Sequence, residues 1–225
     1  MNADPTRNFY EAHAKEYFQA TSSADLHPLW HKLIERLKPG ARILDLGCGS
    51  GRDLLYFSRH GYRVVGLDYS FNLLKLASEF SSQPVVQADF RSLPFRSGVF
   101  DAAWAIGSLL HVPPRFLPSV LGQIHGVLKP GSLFLTSVKE GEGENVDSLG
   151  RHNVFYQKNE WHQILEKHGF GLIESEKIIE LRKTPMGNEV EIKWLVCLSK
   201  ATQRRLGNKA VYDQSSEEVA LFETS

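Results

Sequence analysis

The sequence predicts an α/β fold: a single-domain, doubly wound sheet, mostly parallel with an antiparallel C-terminal strand, and helices on both faces. Three observations lead there. Apolar runs of strand length alternate with helical periodicity from residue 41 to about residue 138. Those runs lack polar alternation, as strands covered on both faces do. The same turn chemistry, Lys38-Pro39-Gly40 and Lys129-Pro130-Gly131, twice leads from a helix into a strand.

The elements follow in order. Residues 5–20 predict a helix, with Pro5 at its start and Tyr10, Ala14, Tyr17 and Phe18 at helical spacing. A second helix is expected from 28 to about 37. Residues 41–46 read as a buried strand, 47–51 as a loop and 52–60 as a helix stopped by Gly61. Strands are then expected at 63–67, 84–88, 99–106 and 132–138, and helices at 70–80 and 113–128. Strands separated by helices of this length run parallel through right-handed crossovers.

Beyond Val138 the texture changes. Lys139-Glu140-Gly141-Glu142-Gly143-Glu144 has nothing to pack in a core and is expected to be a mobile loop. A helix is expected over 159–168, closed by Gly169. Strands over 172–181 and 190–199 flank a turn around Pro185-Met186-Gly187, and they should be antiparallel because no helix fits between them. Residues 201–225 read as a polar, frayed tail. The division expected is an N-terminal helical segment (1–40), a core (41–200) with an insertion at about 139–157, and the tail.

The chain has 225 residues, enough for one substantial core, with Lys plus Arg and Asp plus Glu equal at 26 each. So balanced a charge gives no field to steer nucleic acid or an anionic membrane, and neither is expected as a partner. Two cysteines, Cys48 and Cys197, make no disulfide framework and fit a reducing cytoplasm. No apolar run approaches the ~20 residues of a membrane span. A monomer or homodimer is expected.

The chemistry centres on Asp45-Leu46-Gly47-Cys48-Gly49-Ser50-Gly51, between the first strand and its helix. Open parallel sheets bind ligands beyond the carboxyl ends of their strands, near the point where strand order reverses. Ser50, with Asp53 three residues on, reads as a capping box. A dinucleotide fingerprint needs G-x-G-x-x-G. Counted from Gly47 the sixth position is Arg52, and from Gly49 it is Leu54, so the fingerprint fails in both registers.

Acid-x-Gly-x-Gly-x-Gly resembles the first motif of the class I S-adenosylmethionine-dependent methyltransferases, of the small-molecule type, and the resemblance implies their Rossmann-like fold. Val64-Val65-Gly66-Leu67-Asp68, Gln87-Ala88-Asp89-Phe90, Phe100-Asp101-Ala102-Ala103-Trp104-Ala105-Ile106 and Leu128-Lys129-Pro130-Gly131-Ser132 resemble the motifs that follow it, over about residues 9–199. The resemblance implies S-adenosylmethionine as cofactor, leaving as S-adenosylhomocysteine. Its site would be Asp45, Gly47, Cys48 (backbone only), Gly49, Gly51, Arg52, Asp68, Tyr69, Asp89, Phe90 and Ile106. Asp68 would take both ribose hydroxyls, since a carboxylate accepts two bonds at once. Asp89 would accept from the adenine amino group. Asp101, at the start of a strand, is read as structural, and Trp104 as core.

The implied reaction is in-line displacement of the methyl group onto a small-molecule acceptor, with positioning as the main contribution. His111, past the end of the fourth strand, is the candidate base, and a wall of the pocket is its competing role. Tyr10, His13 and Tyr17 share a spacing that puts them on one helix face. Tyr10-x-x-x-Ala14-x-x-Tyr17 resembles the lid helix of small-molecule members, and Tyr17 joins His111 as a catalytic candidate. Tyr10, Arg151 and Tyr156 are candidates for the acceptor, with Phe155 beside them. No metal is expected: Glu140, Glu142 and Glu144 fit no calcium loop, and His27 and His31 have no third ligand. Two other readings stay open: a protein that binds S-adenosylmethionine or S-adenosylhomocysteine without turnover, and an NAD(P)-dependent oxidoreductase.

Overall fold

The structure is a computed structural model and describes residues 4–183 and 189–203. Helices α1 (Pro5–Ala12), α2 (Ala14–Thr21) and α3 (His27–Ile34) precede the sheet. Then come β1 (Arg42–Leu46), α4 (Arg52–Arg59), β2 (Arg63–Asp68), α5 (Phe71–Ser81), β3 (Val85–Gln87) and β4 (Phe100–Ile106). A 3-10 turn (Leu109–His111), α6 (Leu117–Val127), β5 (Leu128–Glu140), β6 (Glu144–Val146) and β7 (His152–Tyr156) follow. Helix α7 (Lys158–Lys167), β8 (Phe170–Lys183) and β9 (Glu189–Ala201) complete the described elements.

Strands β3, β2, β1, β4 and β5 lie side by side in that order, all parallel. β9 runs antiparallel on the other edge of β5 and pairs with β8. Strand order therefore reverses between β1 and β4, where the glycine loop leaves the sheet.

Period-two side chains divide the core between the faces. On one, Leu44, Leu46, Val65, Leu67, Ala103 and Ala105 pack against α6 and α7. On the other, Ile43, Val64, Ala102 and Trp104 pack against α3, α4 and α5. Both cysteines are buried and free. No helix among the described residues is long and apolar enough to cross a membrane.

Four expectations change. The N-terminal helix breaks at His13, whose backbone leaves the helical region (φ −113°, ψ 28°) and whose ring N–H donates to the Phe9 carbonyl (3.0 Å). His13 is exposed and does not share the face of Tyr10 and Tyr17. The capping box at Ser50 does not form, because Gly51 (φ 79°) occupies the N-cap. Asp53 instead accepts from the indoles of Trp30 (2.8 Å) and Trp104 (3.0 Å) and from Arg52 (2.9 and 2.8 Å). That set satisfies the lone pairs of a carboxylate that would otherwise be orphaned in the core.

The expected loop after Val138 is partly sheet. β5 runs on to Glu140, and β6 and β7 form an antiparallel pair. β7 lies parallel to the last residues of β5, Lys139 opposite Phe155 and Glu140 opposite Tyr156. Lys139 also pairs with Trp194 of β9. A strand has two edges, so β7 occupies the edge that β4 leaves free after Ile106. The β6–β7 hairpin thus lies over the carboxyl end of β4. The expected turn around Pro185-Met186-Gly187 lies outside the described residues, as does nearly all of the tail. Of the latter, Ala201 ends β9 and the Thr202 N–H donates to the Gly169 carbonyl (2.8 Å).

Candidate active site

The loop after β1 is shaped by what surrounds it. Gly47, Gly49 and Gly51 all have positive φ (79°, 51° and 79°). A Cβ on Gly47 would lie 2.5 Å from Ser108 Cβ, and one on Gly51 2.8 Å from Ala77 Cα. At Gly49 the nearest neighbour is the Tyr17 ring, at 3.1 Å, so α2 rests on the loop. Cys48 contributes its N–H to the Leu67 carbonyl (3.0 Å), and its thiol is packed against Gly66.

Two carboxylates at neighbouring strand ends flank this loop. Asp45 is 1% exposed, and its Oδ2 has no hydrogen-bond partner among the described residues. Burial, then the nearby Asp53 carboxylate, push its pKa well above the ordinary range. Asp68 accepts the Gly49 and Ser70 N–H groups, both at 3.0 Å. Burial raises its pKa against those bonds. Each Asp68 oxygen keeps a lone pair for a further donor. A ligand with a cationic amine for Asp45 and paired hydroxyls for Asp68 would satisfy both.

Helices α1 and α2 cover the carboxyl ends of the strands. Ser70 Oγ donates to Glu11 (2.6 Å), and the Asn72 side chain donates to the Glu11 carbonyl (2.9 Å). The His152 N–H donates to Thr6 Oγ1 (2.9 Å). Arg7 lies over the Tyr69 ring at 4.3 Å. Tyr10 and Tyr17 meet edge to face at 5.1 Å.

His111 stands under this cover. Its Nδ1 is 2.6 Å from the His152 carbonyl, so Nδ1 carries the proton and Nε2 is the acceptor. The Tyr10 hydroxyl donates to that Nε2 at 2.9 Å. Burial lowers the His111 pKa to about 4, leaving the ring neutral. Arg151 pairs with Asp147 (2.8 Å), sets its charge near Tyr10 and lies over the Phe9 ring at 5.0 Å.

The fold therefore gathers Asp45, the glycines, Asp68, Tyr17, Tyr10, His111 and Arg151. Phe90 closes on Gly47, with its ring 3.5 Å from where a Cβ would stand, and Ile106 ends β4 half-buried beside them. Other candidates turn into the core or are held by neighbouring side chains. Tyr156 is 3% exposed and packs in the core on Trp161, at 4.8 Å, because alternation along β7 turns it away from Phe155. Its hydroxyl has no partner among the described residues, and burial raises its pKa. Asp89 is held by Arg91, whose Nε lies 2.9 Å from both oxygens. Arg52 is closed on Asp53. Asp101 takes Lys129 (2.6 Å) and the Arg42 N–H (2.9 Å) at the far end of the sheet. Trp104 is fully buried.

Sequence reasoning missed Thr6, Glu11, Ser108, Lys139, Asn153 and Trp194. All of them meet the site through partners distant in the chain. Only Lys139 had a local signal, as the second residue after Ser137 on one strand face.

This fold and this loop define a nucleotide-type cofactor site on a doubly wound sheet. The methyltransferase-domain family profile matches residues 44–136. The chain is 39% identical over 120 residues to a 2-phytyl-1,4-naphtoquinone methyltransferase of Nostoc punctiforme, covering 47% of this chain and 51% of that one. It is 35% identical over 116 residues to the sterol 24-C-methyltransferase of Schizosaccharomyces pombe, covering 46% and 30%. The matches thus span about a third to a half of these curated relatives. Among solved structures, the 1,6-didemethyltoxoflavin-N1-methyltransferase of Burkholderia thailandensis, bound to that substrate and S-adenosylhomocysteine, superposes with a TM-score of 0.72. It covers 90% of this chain and 92% of its own at 23% identity, a likeness of fold. Residues 44–136 are thus similar to the methyltransferase-domain family, on a fold shared with solved methyltransferase structures.

Proposed function

We propose that the protein transfers a methyl group from S-adenosylmethionine to a small-molecule acceptor. The observation that carries this reading is the pair of acids at neighbouring strand ends: the buried, unpartnered Asp45 Oδ2 and the bidentate-ready Asp68, either side of the glycine loop. Asp45 and the loop from Gly47 to Gly51 suit the charged methionine end of the cofactor. Asp68, with Tyr69 beside it, suits the ribose, and Phe90 and Asp89 suit the adenine, Asp89 sharing its carboxylate with Arg91. The group, when bound, would supply a sulfonium-activated methyl carbon open to in-line attack by a positioned acceptor, the C–S bond breaking with S-adenosylhomocysteine as leaving group.

The chain's own residues then orient and seclude. Helices α1 and α2 act as a lid: Tyr17 covers the loop, and Tyr10 covers His111, excluding water from the space between them. His111 presents Nε2 as an acceptor, its tautomer fixed by the His152 carbonyl. A ring with a pKa near 4 is a weak base, so its main part is to orient an acceptor hydroxyl or amine that takes the place of the Tyr10 hydroxyl. The sterol and quinone relatives and the balanced charge favour a small acceptor over a nucleic acid.

A second reading, cofactor binding without turnover, is favoured by the Tyr10 hydroxyl already occupying His111 Nε2. Incubating the protein with a metabolite extract and methyl-labelled S-adenosylmethionine separates the two. Labelled product identifies the acceptor and the enzyme together. Tight S-adenosylhomocysteine binding with no labelled product across extracts would favour the binding protein.

A further inference from the structure

We infer that the acceptor carries an anionic oxygen group, of the carboxylate class, received by Lys139 between the rings of Phe155 and Trp194. This inference rests on the methyl-transfer reading and concerns the acceptor half of that site. Lys139 stands opposite Phe155 on one edge of β5 and opposite Trp194 on the other. Directly paired residues project on the same sheet face, so the three form one cross-strand row, ring, ammonium, ring. The row lies at the active end of the sheet. The Trp194 ring reaches within 3.7 Å of where a Cβ on Gly107, just past β4, would stand. One pair earlier on the same face of β5, Ser137 Oγ takes the Gly107 N–H at 2.9 Å. On the other side stand Asn153, Arg151 and the Arg151 contact with Tyr10.

The ammonium is half-buried and forms no ion pair among the described residues. Its hydrogen bond goes to Asn153 Oδ1 at 2.9 Å, a neutral amide oxygen. Its ring contact is with Phe155, at 5.9 Å. The nearby carboxylates are committed elsewhere. Asp147 holds Arg151 (2.8 Å), while Glu180 takes the Trp194 indole N–H (2.8 Å) and Arg182 (2.7 Å). Arg151 and Arg182 add positive charge around it, and burial with Arg151 depresses the Lys139 pKa. A partly desolvated cation with one neutral partner and free donors is completed by an anion. The flanking rings offer flat apolar walls to the body that bears it.

Two carboxylates are candidates for this ammonium: one on the acceptor, which we propose, and the methionine carboxylate of the donor. Fluorine NMR with 4-fluorobenzoate and its neutral isostere 4-fluorobenzamide, titrated into the protein loaded with S-adenosylhomocysteine, tests the first. Calorimetry with S-adenosylhomocysteine tests the second. The benzoate is expected to bind about tenfold more tightly than the benzamide, the scale of one charge-assisted bond. Lys139→Met should remove that preference and Lys139→Arg should keep it, with S-adenosylhomocysteine affinity unchanged in both. Equal binding of the two probes, absence of binding by either, or a preference that survives Lys139→Met overturns the inference while leaving the donor site intact. Weaker S-adenosylhomocysteine binding by Lys139→Met also overturns it, assigning the ammonium to the donor. If the unaltered protein fails to bind S-adenosylhomocysteine, the methyl-transfer reading itself falls, and this inference with it.

Discussion

The three loop glycines differ in what an added methyl would meet, which makes alanine substitution a graded test of the site's geometry. All three have positive φ, where an L-residue costs roughly 1–2 kcal/mol. At Gly49 the only close neighbour is the edge of the Tyr17 ring at 3.1 Å, which α2 can move aside. Gly49→Ala should therefore destabilise by about 1–2 kcal/mol, the backbone cost alone. At Gly51 the methyl would meet Ala77 Cα, Cβ and O at 2.8–2.9 Å, backbone of a packed helix that cannot yield. Overpacking adds ~1–3 kcal/mol, bringing Gly51→Ala to about 2–5 kcal/mol. Gly47→Ala, facing Ser108 Cβ at 2.5 Å, belongs with Gly51→Ala. Urea unfolding followed by tryptophan fluorescence measures all three. Measured against Tyr17→Ala, where the ring is gone, adding Gly49→Ala should cost the backbone term only. Equal losses at Gly49 and Gly51, within ~0.5 kcal/mol, would refute the packing of the loop on α5.

Asp68→Asn removes one acceptor oxygen and the charge and should weaken S-adenosylhomocysteine binding by roughly 1.5–3 kcal/mol in calorimetry, and unchanged affinity would mean that the hydroxyls bind elsewhere. His111 makes a pH-dependent contribution. Its pKa is depressed in the fold, so the unfolded chain binds more protons between about pH 6.5 and 4, and stability falls as pH drops through that window. His111→Gln should flatten the acid limb by up to ~3 kcal/mol relative to the unaltered protein, and parallel pH profiles would refute the buried neutral ring. Asp53→Ala leaves two buried indole N–H groups and Arg52 without their acceptor and should cost about 3–5 kcal/mol, whereas little change in the urea midpoint would mean that the triad is loosely held.

The parallel core was legible because its signals are local. Strand runs such as residues 41–46, the glycine loop and Lys129-Pro130-Gly131 each sit in one stretch of chain. What escaped depends on distant partners. β7 is five residues whose position is set by the edge β4 vacates, a fact of topology rather than of its own sequence. Without β7 its alternation is not legible either, so the sequence places Tyr156 at the acceptor although it faces Trp161. Ser50 and Asp53 have the spacing of a capping box, but Trp30 and Trp104 claim the Asp53 carboxylate from 23 and 51 residues away. His13 fits the helical face of Tyr10 and Tyr17 by spacing, but the helix breaks at it and its ring turns back onto the Phe9 carbonyl. Of the candidate site, the donor half lay in contiguous motifs. The acceptor half is assembled by the lid, the β6–β7 hairpin and β9, whose meeting no spacing rule encodes.

Cofactor choice is the central claim, and calorimetry decides it most directly. Titrated separately, S-adenosylhomocysteine should bind the protein with one site per chain, with affinity reduced in Asp68→Asn, and NADH should give no heat of binding. NADH binding with no response to S-adenosylhomocysteine would contradict the account.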